Sequence, residues 1–143
     1  MASLIFNSAV RDEAVGSIDY DTDTFKVMLL TSTAAADTRK DTWTKRSDVT
    51  NEITGTGYTA GGATATVTVA ATDTTNDRVV ITLGDGGVTW GTSTITARYA
   101  VYYKSRGGAS SADELIAVVD FSTDKTSTGA DFTLSASTIT KQN

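Results

Sequence analysis

The chain has 143 residues, a formal net charge of −5 at neutral pH, and no His, Cys or Pro. That length suits one domain with room for a core. The absences exclude disulfides, imidazole bases, thiolate nucleophiles, and the zinc and iron–sulfur sites built on either ligand.

Twenty-eight residues are Thr, whose branched side chain suits a half-wet pleated surface better than a helix. An acidic chain lacks the basic face a nucleic-acid binder needs. The longest apolar runs are four or five residues, far short of the roughly 20 that span a bilayer. Met1, Ala2 and Ser3, followed by Leu4, Ile5 and Phe6, have neither the basic region nor the long apolar stretch of a secretory leader. These features predict a protein made in the cytoplasm, with neither nucleic acid nor membrane as partner.

In chain order, residues 4–18 form the best helix candidate, with its body at about 7–16. Asn7 or Ser8 can cap it and Gly16 can close it. Phe6, Val10 and Ala14, with Ala9 nearby, give an apolar stripe at i, i+4 spacing. Residues 24–31 then read as a strand. Phe25, Val27 and Leu29 share one face, while Met28 and Leu30 predict cover on the other. Residues 32–51 are polar and mixed in charge, with Trp43 their one large aromatic. A loop of that length in a compact domain tends to be functional.

Residues 63–69 alternate Thr with Ala and Val, and Asn76-Asp77 turns the chain toward a returning strand at 78–83. Short strands follow at 88–90, 95–104, 115–121 and 132–134, with a last one at 137–140. The segment 115–121 is the most apolar and predicts a central strand. Seven or eight strands, one early helix, and no helices between later strands predict a mainly β single domain over 1–143. The architecture is an antiparallel β-sandwich, jelly-roll-like, with one short N-terminal helix.

Several motifs invite chemistry and lose it in context. Gly55-Thr56-Gly57-Tyr58-Thr59-Ala60 spells a dinucleotide loop, but a strand follows where that site needs a helix N-terminus. It reads as a glycine corner. Asp19, Asp21 and Asp23 open like a calcium loop, yet Thr24 and Leu30 stand where Gly and Glu are required. They read as a solvated turn, with an improvised cation site as the sharper alternative. Ser122-Thr123-Asp124-Lys125 resembles a serine–lysine pair but has turn composition, not a helical turn. Tyr99, Tyr102 and Tyr103 read as core with one exposed edge, against a carbohydrate-stacking face. The expectation is no enzyme, no cofactor and no metal.

Three segments carry a family likeness: Asp21-Thr22-Asp23-Thr24-Phe25-Lys26-Val27-Met28-Leu29-Leu30-Thr31-Ser32; Asn51-Glu52-Ile53-Thr54-Gly55-Thr56-Gly57-Tyr58-Thr59-Ala60-Gly61-Gly62-Ala63; and Ser93-Thr94-Ile95-Thr96-Ala97-Arg98-Tyr99-Ala100-Val101-Tyr102-Tyr103-Lys104, with Glu114-Leu115-Ile116-Ala117 after it. Their order and wording resemble a family of short virion structural proteins of tailed bacteriophages, over nearly the whole span from Phe6 to Leu134. The resemblance implies a non-enzymatic virion part, a decoration or cement protein on the capsid. Its partners would be the major capsid protein and neighbouring copies, as in a homotrimer at a local three-fold. Exposure and side-chain type nominate Leu4, Ile5 and Phe6, Trp43 and Arg106 as partner contacts. The alternative is a receptor- or glycan-binding module on a tail or fibre, with Tyr102 and Trp43 as its aromatic platform.

Overall fold

The structure is a computed structural model, and it describes residues 2–143. Eight strands are β1 (Ala2–Ile5), β2 (Phe25–Leu30), β3 (Ala63–Ala65), β4 (Val67–Val69), β5 (Arg78–Leu83), β6 (Val88–Lys104), β7 (Leu115–Leu134) and β8 (Ser137–Gln142). The helix α1 (Asn7–Ala14) follows β1. All strands pair antiparallel, in a five-stranded sheet of order β1-β7-β6-β2-β3 and a three-stranded sheet of order β4-β5-β8. The mainly β, two-sheet sandwich read from the sequence is therefore what forms, with its strands divided five and three.

The five-stranded sheet is covered on both faces where β2, residues 99–103 of β6 and residues 115–119 of β7 lie side by side, whereas the far arms of β6 and β7 keep one wet face with Thr89, Thr94 and Thr96 exposed. Directly opposed residues share a face, so Val27 and Leu29 lie beside Tyr102 and Ala100. Gly84, at the end of β5, leaves room for the Tyr102 ring, since a Cβ there would sit 2.8 Å from its hydroxyl oxygen. That face meets the three-stranded sheet. On the other face, Lys26, Met28 and Leu30 stand opposite Tyr103, Val101 and Tyr99. Tyr99 donates its hydroxyl to Asp37 at 2.9 Å, and Tyr103 to the Gly61 carbonyl at 2.6 Å. Residues 32–62 thus form a third layer, tightened by 3-10 turns at Ser32–Ala34, Ala36–Thr38 and Arg46–Asp48. Two-sided burial explains why β2 alternates weakly in sequence and is buried at all but one position.

Three expectations are corrected. Leu4 and Ile5 belong to β1, not to a helix, and pair with Val118 and Ala117. The helix keeps the expected start at Asn7 but has no side-chain cap, and Gly16 sits beyond its end at φ +80°. Its Phe6–Val10–Ala14 stripe does not face the core. Phe6 is buried, whereas Val10 is 55% exposed and Ala14 is exposed, and the helix buries Ala9 and Asp12. Hydrogen bonds from the Ser17 and Ile18 amides to the Asp12 carbonyl fold the following turn back against that inner side.

The segments 88–90 and 95–104 are one strand, and so are 115–121 and 132–134. Gly91 and Thr92 form bulges rather than a strand end, because the register with β7 shifts between Trp90 and Ser93. Likewise Ser122-Thr123-Asp124 makes an excursion inside β7: residues 121–124 lie between the Ala97↔Lys125 and Tyr99↔Asp120 pairs, facing Arg98 alone. Asp120 pins it, accepting from Arg98 Nε at 2.8 Å and from the Ser122 amide at 2.7 Å.

Candidate partner-binding surface

Each nominated residue is more deeply engaged than its sequence suggested. Leu4 and Ile5 are half-buried, and the Phe6 side chain belongs to the core. Trp43 is only 7% exposed, with the Arg39 guanidinium 5.7 Å from its ring centre. Tyr102 is fully buried. The structure therefore contradicts Phe6 and Trp43 as exposed anchors, and it removes Tyr102 and Trp43 as an aromatic platform for glycans. Trp43 is drawn inward because the 32–62 layer has its own inner side, a signal that polar composition hides.

Arg106 remains exposed as a residue, but its guanidinium is held. Nε lies 3.0 and 3.2 Å from the two Glu114 carboxylate oxygens, and Nη2 lies 2.6 Å from one of them. Its amide donates to Asp113 Oδ1 at 2.8 Å. Asp113, 1% exposed, also takes Arg46 Nε at 2.7 Å, and Arg46 stacks 5.1 Å from the Tyr103 ring centre. Lys45 adds a 3.4 Å contact to Glu114. Lys104 reaches Asp23 at 2.8 Å and the Ser17 carbonyl at 2.7 Å. Burial by itself raises the Glu114 pKa, but the Arg106 fork and the nearby Lys45 outweigh it and hold the carboxyl below its usual range. The same fork raises the Arg106 guanidinium.

These contacts bring distant segments together. The Asn7 amide donates to the Lys40 carbonyl at 3.2 Å, and the Asn7 side chain bonds Asp41. The Leu115 amide donates to the Thr44 carbonyl, and the Arg46 amide to the Asp113 carbonyl. Asp48 closes the turn between them, accepting from the Thr44 and Lys45 amides at 2.9 and 3.0 Å, which lowers its pKa. Phe6–Asn7, the Trp43 loop and the Arg106 tip, up to 100 positions apart, thus form one continuous end of the molecule. The sequence nominated the three regions separately. Their common neighbours Lys45, Arg46, Asp113 and Glu114 were missed, although a mixed-charge loop facing an Asp-Glu pair was the available signal.

The acidic triplet builds a turn. Asp23 Oδ2 accepts the Asp19 amide at 2.7 Å and pairs with Lys104, while Asp19 Oδ1 accepts the Asp21 amide at 3.0 Å. Among the described residues no three His, Cys, Asp or Glu side chains gather into a metal cage, and no helix is long and apolar enough to cross a membrane. In the 55–62 corner, Gly62 at φ +79° crosses β2 so closely that a Cβ would fall 1.8 Å from the Val27 carbonyl oxygen. Those glycines serve backbone approach, as the strand that follows them implied. Compared with known protein families, curated proteins and solved structures, the chain matches none of them.

Proposed function

We propose that the protein is a non-enzymatic structural part of a phage virion that decorates the capsid, binding the major shell protein and stabilising it. The observation that carries this reading is the virion-protein wording of the three segments that organise the fold, β2, the glycine corner and β6 with the start of β7. The surface is compatible with it. A cement protein works passively, through many contacts spread over a standard-size interface, and it must not deform under load.

The end formed by Asn7, residues 40–46 and residues 106–114 meets that demand, because buried carboxylates cross-tie its loops to the sheet. It offers a shell partner a fixed polar rim, with Arg106, Lys40 and Asp41 exposed. Particles lacking the protein test the reading. Lost heat resistance with normal host adsorption is expected; lost adsorption with unchanged heat resistance would replace cement by a receptor-binding role.

A further inference from the structure

The three-stranded sheet has two different rims. β8 carries Lys141, whose ammonium lies 2.7 Å from Glu13 Oε2, and a charged edge discourages a further strand. β4 has no such guard, and residues 67–72 contain no charge. The Ala70 amide donates to the Val80 carbonyl at 2.9 Å, so the ladder with β5 continues past Val69. Main-chain groups alternate in direction along a strand. Thr68 and Ala70 therefore face β5, while Val67 and Val69 turn their N–H and C=O groups outward. β4 pairs with β5 alone, and among the described residues neither of these two makes a main-chain hydrogen bond beyond that ladder.

The side chains are unfinished at the same place. Val67 and Val69 stand opposite Leu83 and Ile81, both buried, so they belong to the core face of the sheet. Val69 is nevertheless 41% exposed, because no strand lies beyond it. Unpaired main-chain groups beside an uncovered core-face valine make a template for one more strand.

Parity and charge say which strand fits. Antiparallel pairing of this segment with itself, centred on Thr68, sets Val67 opposite Val69 of the partner subunit and Val69 opposite Val67 of the partner subunit. Every residue in those pairs turns its main chain outward, so each pair exchanges two hydrogen bonds. A slip by one residue would set outward groups against inward ones and lose the ladder. Apolar core-face side chains meet apolar ones, and no like charges are opposed although each copy carries −5.

We propose that β4 is a self-pairing edge through which two copies of this chain join about a two-fold axis into one six-stranded sheet. The contact is isologous and closed. It is smaller than a standard interface of ~1,600 Å², so it gains weight when copies are concentrated or held side by side. It is distinct from a three-fold association, and it stands whether or not the shell reading does, since purified protein alone tests it.

The test is sedimentation equilibrium of the purified full chain from about 10 µM to about 1 mM. The mass should rise from one copy toward two. Val69→Lys, which sets an ammonium group opposite Val67 of the partner subunit and brings two such groups diagonally together, should raise the dissociation constant roughly tenfold or more. Its far-UV circular dichroism should remain unchanged. Mixing Val69→Lys with Val69→Glu should restore a heterodimer. A wild-type chain that stays monomeric throughout would overturn the proposal. So would association, two-fold or three-fold, that Val69→Lys leaves unaltered.

Discussion

The two sheets draw on the same Thr, Val and Ala vocabulary and end in different states. The five-stranded sheet is closed on both faces where β2 meets residues 99–103 of β6, by the other sheet on one side and by residues 32–62 on the other, so Tyr99, Tyr102 and Tyr103 are all buried. The three-stranded sheet is covered on its inner face alone. Thr68, Thr138 and Thr140 lie exposed on the outside, and its β4 edge leaves Val69 half out of the core. One part of the molecule is complete as a monomer and tied down by charge. The other keeps a free rim. The proposed cement role asks for both, a held shape and a rim that meets neighbours, and the split locates where each property resides.

Substitutions can break that comparison. The largest effects belong in β2, where two-sided burial makes both faces equally costly. Leu29→Ala, toward the three-stranded sheet, and Leu30→Ala, toward the 32–62 layer, should each lose about 3 kcal/mol in urea unfolding. A much smaller loss for Leu30→Ala would mean that the third layer is not packed as described.

An intermediate effect belongs to the charged end. Glu114→Gln weakens the fork with Arg106 and the contact with Lys45, and should cost about 2 kcal/mol at neutral pH. Its sign with pH follows from the lowered carboxyl. The Glu114 pKa in the folded chain lies below its ordinary value of 4.5, so its stabilisation is complete above that value and is lost as pH falls through the folded one. Thermal melts of Glu114→Gln should therefore converge on wild type in acid and separate toward pH 7. A constant gap would show that the pair contributes through packing alone.

The smallest effect belongs to the outer face of the three-stranded sheet. Thr140→Lys, exposed on β8, should change stability by less than about 0.5 kcal/mol. A larger loss would mean that this face is covered and that the contrast between the sheets is false.

The sandwich, the early helix and the hairpin of β4 and β5 were legible because alternation of period two survives wherever one face is wet, although the one strand read over 63–69 is divided between the sheets, Ala63–Ala65 beside β2 and Val67–Val69 beside β5. Met28 and Leu30 even disclosed the two-sided burial of β2. What composition concealed was local. Gly91-Thr92 and Ser122-Thr123-Asp124 have the residues of turns, yet long-range pairing of β6 with β7 absorbs them as bulges. Phe6, Val10 and Ala14 form a proper helical stripe, but tertiary placement turned Val10 and Ala14 to solvent. Trp43 read as an exposed anchor because its neighbours are polar, and burial there depends on a layer that no local pattern announces. At the candidate surface the three regions were visible one by one. Their junction was not, since it depends on Asp113 and Glu114 meeting Arg46 and Lys45 across nearly 70 positions.

The proposed binding to a capsid shell is the central claim, and co-sedimentation of the purified protein with empty heads and, separately, with tails of a tailed phage tests it directly. The account predicts saturable binding to heads at a fixed ratio to the major shell protein, and none to tails. Binding to tails alone, or no saturation on heads, would contradict it.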